Sequence, residues 1–224
     1  TYIHQINLDS FHQNIVYTHN ERNRIELFGI KVWSTYQKYE MAVEDEIRDF
    51  FFSDGKMILI KNGYVTSFDG VKETILIAEE IRKISCFDKT IYSISNLCSY
   101  DMENNQTEEM ENIKAEGVIA TSSGAYFINA QDLGLYYLNA LTKEVSKIVE
   151  EGINAFAIYE NDIWYTLADD RNAFYYCEAD GSNPKKAFDE GIESFSLHSE
   201  GNEIYITRVD SGELLILKRD DLLN

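Results

Sequence analysis

The sequence predicts an all-β fold built from one small unit repeated about six times. Three observations carry that prediction: the composition, a recurring spacing of apolar residues, and short β-prone runs joined by tight turns. The chain has 224 residues, 44% of them hydrophobic and 13% aromatic, too much core-forming material for a disordered chain. One proline and twelve glycines exclude collagen-like and linker-like compositions. No apolar run approaches the roughly 18–20 uncharged residues that a membrane-spanning helix needs, so no membrane insertion is expected.

The repeat is read first, because a fixed period decides the fold. Ile153, Phe156, Ile158 and Ile163, followed by Trp164 and Tyr165, set a template. Ile81, Ile84, Cys86, Ile91 and Tyr92 fit it without a gap, as do Ile47, Phe50, Phe52, Met57 and Ile58. Ala115, Val118, Ala120, Ala125 and Tyr126 form a weaker copy. Two more copies carry the same two-residue insertion: Ile3, Ile6, Leu8, Ile15 and Val16, and Ile192, Phe195, Leu197, Ile204 and Tyr205. Within residues 44–78, the runs Ile47–Ser53, Lys56–Lys61, Tyr64–Phe68 and Thr74–Ala78 are separated by Asp54-Gly55, Asn62-Gly63 and Asp69-Gly70. Such dipeptides between β-prone runs signal hairpins, because a type I′ turn needs positive φ at both central residues. Helical hairpin repeats share this period, but these runs are too short, too β-branched and too aromatic for them. Four short strands per unit, six units in all, read as a β-propeller of four-stranded antiparallel meanders.

The units fall at about 1–43, 44–78, 79–113, 114–150, 151–190 and 191–224, in one domain spanning 1–224. The fifth predicts strands at Ile153–Tyr159, Asp162–Leu167, Ala173–Glu178 and Lys185–Phe188. The third loses its turn glycine and has a polar fourth strand through Glu108 and Glu109. The sixth leaves only Asp220–Asn224 for a fourth strand, so it is expected to be incomplete.

Asp162-Ile163-Trp164-Tyr165, then Phe174-Tyr175-Tyr176 and Asp180-Gly181-Ser182, resemble the bacterial low-density-lipoprotein-receptor-like (YWTD-type) β-propeller repeats. The signature tetrapeptide stands here in altered form as Ile163-Trp164-Tyr165-Thr166. The resemblance implies a propeller of largely unknown function, on a secreted or cell-surface protein.

No catalytic motif is present: there is no G-x-S-x-G nucleophile elbow, G-x-G-x-x-G or Walker loop. His4, His12, His19 and His198 show no metal-ligand spacing, and Cys86, Cys98 and Cys177 form no C-x-x-C pair. Buried free thiols are the reading for the cysteines, with one disulfide, Cys86 to Cys98, left open. Glu178-Ala179-Asp180-Gly181-Ser182-Asn183 lacks the spaced ligands of a calcium loop and reads as a type I′ hairpin. No cofactor, metal or catalytic residue is therefore assigned. Adjacent aromatics such as Tyr136-Tyr137 and Tyr175-Tyr176 read as core.

The informative feature is acidity with a phase. The chain has 20 Lys and Arg against 39 Asp and Glu, a formal net charge of -19, which argues against a phosphate-backbone binder. Acids recur at the connection into successive innermost strands: Glu44 and Glu46, Glu79 and Glu80, Glu116, Glu150 and Glu151, Asp189 and Glu190. In a propeller that connection shares a face with the second-to-third-strand loops, which add Asp132, Asp169, Asp170 and Asp210. A ring of like charge at a channel mouth focuses the field. The expectation is a non-catalytic module that docks a basic protein or peptide there. A structural or small-ligand sensor domain of a larger surface protein is the second reading, and an enzyme with a site at the mouth the third.

Overall fold

The computed structural model describes the backbone of residues 3–223 outside 10–13, 20–23, 31–35, 43–46, 54–55, 69–71, 79–80, 95 and 198–201. Side chains are described for residues 56–222 outside 69–71, 79–80, 95, 111 and 198–201. The chain is nearly all β, in several antiparallel sheets, and divides into two compact units, Thr1–Asn112 and Ile113–Asn224.

In the first unit, β1 (Ile3–Asp9), β2 (Asn14–His19), β3 (Arg24–Ile30) and β4 (Tyr36–Ala42) pair in sequence order. So do β5 (Ile47–Ser53), β6 (Lys56–Lys61), β7 (Tyr64–Phe68) and β8 (Glu73–Ile77). β9 (Lys83–Phe87), β10 (Thr90–Ile94) and β11 (Asn96–Asp101) lead into β12 (Gln106–Thr121). In the second unit the end of β12 pairs with β13 (Gly124–Asn129), followed by β14 (Leu135–Asn139) and β15 (Val145–Val149). β16 (Ile153–Tyr159), β17 (Asp162–Leu167), β18 (Phe174–Glu178) and β19 (Lys185–Phe188) form a four-stranded sheet. β20 (Ile192–Leu197), β21 (Glu203–Arg208) and β22 (Leu214–Lys218) form a three-stranded one.

The apolar period of the sequence turns out to be a strand register. Its sixth and eleventh positions face each other across the first hairpin of every sheet. Phe52 pairs with Met57, Cys86 with Ile91, Ala120 with Ala125 and Ile158 with Ile163. In the two copies with the insertion, Leu8 pairs with Ile15 and Leu197 with Ile204. A register shift follows the first template residue at Ile3, Ile47, Ala115, Ile153 and Ile192, so these five innermost strands bend in the same place.

Alternate residues of these strands supply the cores. In the first unit Ile58, Ile60, Val65, Ile77, Ile81, Ile84, Ile91 and Tyr100 pack together. In the second, Tyr126, Ile128, Leu135 and Val149 meet Ile153, Ile163, Tyr165 and Cys177 of the next sheet. Trp164 and Phe174 in turn meet Ile192, Ile204 and Ile206. Each such side chain contributes about 1.5–3 kcal/mol by leaving water. The Trp164 ring lies 4.9 Å from Tyr176 and 5.4 Å from Phe174, within the range of favourable ring pairs.

Four sequence readings are sharpened by the strands and turns observed. The boundary expected between 113 and 114 falls inside a single strand, β12, because nothing in 106–121 signals a tight turn; Asn112 alone departs, with φ 65. Among the described residues of 220–224 there is no strand: Arg219–Leu223 forms the short helix α1. The reason is local: Asp220 and Asp221 fall in its first turn, where the helix dipole favours acids. The 178–182 turn is not type I′. Gly181 has positive φ but Asp180 before it does not, Asn183 follows at φ 54, and the Gly181 N–H donates to the Glu178 carbonyl, so 179–181 form a three-residue turn ending in a glycine bulge. Lastly, Cys86 faces Ile91 and Cys98 faces Ser93 from opposite sides of β10. Two strand spacings, about 9–10 Å, exceed the reach of a disulfide, and all three cysteines are free thiols.

Asn62-Gly63 does form the type I′ turn, at φ 51 and 83. In the third unit of the repeat, Asn105 takes the place of the lost glycine, at φ 53. The turns 54–55 and 69–70 lie outside the described residues, as do His198 and the side chains of His4, His12 and His19.

Candidate functional site

The loop face is defined by hydrogen bonds that recur from sheet to sheet. The N–H at the first template residue donates to a carbonyl in the second-to-third-strand loop of the preceding sheet: Ile81 to Gly63 (2.7 Å), Ile153 to Leu133 (2.9 Å) and Ile192 to Asn172 (3.1 Å). Each acceptor has positive φ: Gly63 at 83, Leu133 at 57 and Asn172 at 59. That conformation turns the carbonyl out of the loop toward the incoming chain. A leucine there is uncommon, so Leu133 marks a position where tertiary pairing outweighs local preference. A second bond ties each such loop to the entry connection of its own sheet, from Ala168 N–H to the Gly152 carbonyl (2.9 Å) and from Val209 N–H to the Gly191 carbonyl (3.1 Å). The acids at 150–151 and 189–190 thus lie next in sequence to residues bonded to the loops at 130–134 and 168–172.

Within the second unit the acids are gathered by cations that the sequence reading did not weigh. Asp132 Oδ2 accepts from the Tyr136 hydroxyl at 2.7 Å and from Lys147 Nζ at 2.9 Å. Lys147 Nζ also reaches Glu150 at 3.0 Å and lies 5.5 Å from the Tyr136 ring centre. One sheet on, the same clasp is built again. Asp170 Oδ2 accepts from the Tyr175 hydroxyl and from Lys186 Nζ, both at 2.8 Å. Lys186 reaches Asp189 at 3.3 Å and lies 5.6 Å from the Tyr175 ring centre. In the last sheet Arg208 takes the lysine's role, bridging Glu190 and Glu213.

The clasps set the electrostatics. The Tyr136 hydroxyl and the Lys147 ammonium hold the Asp132 carboxyl down at about 2. Lys186 and Tyr175 lower Asp170 in the same way. Lys147 is raised by Asp132 and Glu150, and Lys186 by Asp170. Each cluster sets two carboxylates against one cation, so one negative charge is left over in each. The outer acids carry it: Glu150 is 81% exposed and Asp189 89%. Arg171, in the same loop as Asp170, offsets part of this.

Of the acids named from sequence, Asp132, Glu150, Asp170, Asp189 and Glu190 therefore join cation-centred clusters. Glu151, Asp169 and Asp210 are exposed and make no ion pair among the described residues. Glu44, Glu46, Glu79 and Glu80 lie outside the described residues. The missed residues, Tyr136, Lys147, Tyr175, Lys186 and Arg208, had a sequence signal. Tyr136, Lys147 and Glu150 have the same spacing as Tyr175, Lys186 and Asp189. Tyr136 and Tyr175 were read as core; their rings do stack, 5.7 Å from Phe127 and 5.8 Å from Tyr165, while their hydroxyls face the loops.

No family model matches the sequence, and no curated protein matches it. Among solved structures, the chain is similar to YCF48 bound to D1 peptide, with a TM-score of 0.67 and 9% identity over 96% of this chain and 78% of that one. It is also similar to the extracellular domain of BT4673 from B. thetaiotaomicron, with a TM-score of 0.62 and 14% identity over 95% of this chain and 33% of that one. TolB from Acinetobacter baumannii gives a TM-score of 0.58 and 9% identity over 88% of this chain and 60% of that one. The chain spans about a third of the length of the BT4673 structure and three-fifths of TolB. These neighbours are β-propeller-type proteins, and at such identities the likeness shows the fold alone.

Proposed function

We propose that the chain is a non-catalytic binding module that presents an acidic loop face to a basic protein or peptide outside the cytoplasm. In this reading it is a six-bladed β-propeller of the low-density-lipoprotein-receptor-like repeat type, in whose repeat Glu44, Glu46, Glu79 and Glu80 hold the same sequence position as Glu150, Glu151, Asp189 and Glu190. The observation that carries the proposal is the repeated cluster of two acids to one cation, with the outer acid exposed, on one loop face of the second unit. Such a face attracts cations over distances of about a Debye length and discriminates by charge. A similar structure, YCF48, carries a bound peptide, which supports peptide recognition as a use of this architecture.

The test is affinity capture from lysate and secreted fraction at low and high salt, with two baits: the native chain and a variant with Glu79, Glu80, Glu150 and Glu151 changed to Gln. A basic protein held by the native bait at low salt, released at high salt and poorly held by the variant supports the proposal. Equal retention by both baits, with unchanged β circular dichroism, refutes it.

One observation favours a second reading, a structural or small-ligand sensor domain of a larger surface protein. The similar BT4673 structure is an extracellular domain about three times as long as the part matched. In that case neither bait retains a basic partner.

A further inference from the structure

An asparagine followed by glycine is open to attack by its own backbone, because no Cβ shields the glycine nitrogen from the side-chain amide. Asn62-Gly63 is the one such pair in the sequence. It forms the two-residue turn between β6 and β7, closed by the pairing of Lys61 with Tyr64. Neither reacting group is held there. Asn62 is exposed, and its side chain makes no hydrogen bond among the described residues. The bond that closes such a turn runs from its fourth residue to its first, so the Gly63 N–H takes no part in it. Among the described residues that N–H donates to no backbone carbonyl, whereas the Gly63 carbonyl accepts from Ile81 N–H at 2.7 Å.

Comparable groups elsewhere are tied down. Asp180-Gly181 could cyclise in the same way with loss of water. Its Oδ1 accepts from Ser182 N–H at 2.8 Å, and Gly181 N–H donates to the Glu178 carbonyl at 2.9 Å. Asn129 and Asn139 accept from the backbone N–H groups of Gln131 and Leu141, both at 2.9 Å. Asn202 donates its amide hydrogen to Asp220 at 2.6 Å. Asn183 donates to Glu178 at 2.6 Å and is followed by Pro184, which has no N–H to lose.

We propose that Asn62 is a site of spontaneous deamidation in the folded chain, a slow covalent change that adds one negative charge to a second-to-third-strand loop of the first unit. The Gly63 nitrogen bonds to Asn62 Cγ, the Cγ–Nδ2 bond breaks, and ammonia leaves with the proton lost by the glycine nitrogen. Water then opens the five-membered imide. Addition at Cγ gives aspartate; addition at the Asn62 main-chain carbonyl carbon leaves the chain linked through Cγ, as isoaspartate. The two products differ in what they do to the fold. Aspartate tolerates the left-handed conformation that Asn62 holds at φ 51, so the turn and the Ile81 bond survive. Isoaspartate adds a backbone atom to a turn whose length fixes the strand register, which draws the Gly63 carbonyl away from Ile81. The proposal stands apart from the acidic-face reading, since it needs only this turn.

The test incubates the full native chain at mildly alkaline pH beside a free peptide of residues 58–68. Samples are digested at intervals for mass spectrometry, and isoaspartate is measured by enzymatic methylation. Asn62 is expected to convert ahead of every other asparagine, exchanging NH for O and shifting the chain by one charge on anion exchange. Its rate should lie about tenfold below that of the peptide, the cost of opening one turn. Asn62→Gly, which suits a type I′ turn, lacks this charge variant. Asn62→Asp keeps the native urea midpoint, while the isoaspartate fraction unfolds at lower urea. The proposal is overturned if Asn62 stays intact in the folded chain while the peptide converts, if another asparagine converts first, or if Asn62→Gly yields the charge variant at the native rate.

Discussion

Gly181 and Gly212 allow the contact between consecutive sheets to be weighed apart from backbone strain. Both have positive φ, 85 and 66, so replacing either with alanine costs roughly 1–2 kcal/mol from the left-handed conformation alone. Their surroundings differ completely. A Cβ on Gly212 meets nothing within 4 Å, whereas one on Gly181 would lie 2.2 Å from the carbonyl oxygen of Ile148. That oxygen belongs to the backbone of β15, at the register shift between the Lys147 and Val149 pairings, which limit how far it can move. Reaching normal contact requires the two sheets to part by about 1 Å, an overpacking cost of roughly 1–3 kcal/mol. Gly181→Ala should therefore cost about 2–5 kcal/mol and Gly212→Ala about 1–2 kcal/mol. The assay is urea unfolding followed by circular dichroism, with the midpoints compared at equal slope. In thermal unfolding the gap appears as about 2–4 °C per kcal/mol for a chain of this size. Equal losses at the two glycines would refute the close approach of the 179–181 turn to β15.

Three further predictions follow from the same unit. The Asp132 carboxylate, held down at about 2 by Tyr136 and Lys147, adds stability that is fully present above its unfolded value near ~4 and is lost as the pH falls through about 2. The urea midpoints of the native chain and Asp132→Asn should differ at neutral pH and converge near the bottom of that window; a constant gap would contradict the clasp. Burial, then Asp180, Asp162 and Glu178, push the Cys177 thiol up to about 12, so Ellman's reagent should modify half-buried Cys86 well before Cys177 unless denaturant is added. Tyr126→Phe keeps the ring beside Tyr137 at 4.7 Å but loses the 3.1 Å bond to Ala179 O. It should cost about 1 kcal/mol, and an unchanged urea midpoint would show that this bond does not tie the two sheets.

Much of this architecture was legible because strand spacing and turn chemistry agree. The strands of the fifth unit were read to within a residue, as were those of the second. The reason is visible in Ile158 facing Ile163 and Phe52 facing Met57: a cross-strand pair fixes the spacing that the sequence shows. What was not legible depended on non-local pairing or on weak local signals. β12 runs on past Glu108 and Glu109 because only Asn112 interrupts the 106–121 stretch. Arg219–Leu223 lacks the β-branched residues that would have told against a helix. The acids were found by their phase, yet their cations were passed over. A net charge of -19 drew attention to the excess, while Lys147 and Lys186 meet Asp132 and Asp170 across 15 and 16 residues of chain.

The central claim, an acidic loop face that docks a basic partner, is tested most directly by titrating labelled oligolysine onto the native chain and onto the Glu79, Glu80, Glu150 and Glu151 to Gln variant over a range of salt concentrations. Affinity that falls steeply with salt is expected for the native chain, and weaker binding with a shallower salt dependence for the variant. Parallel salt dependences of equal affinity would contradict it.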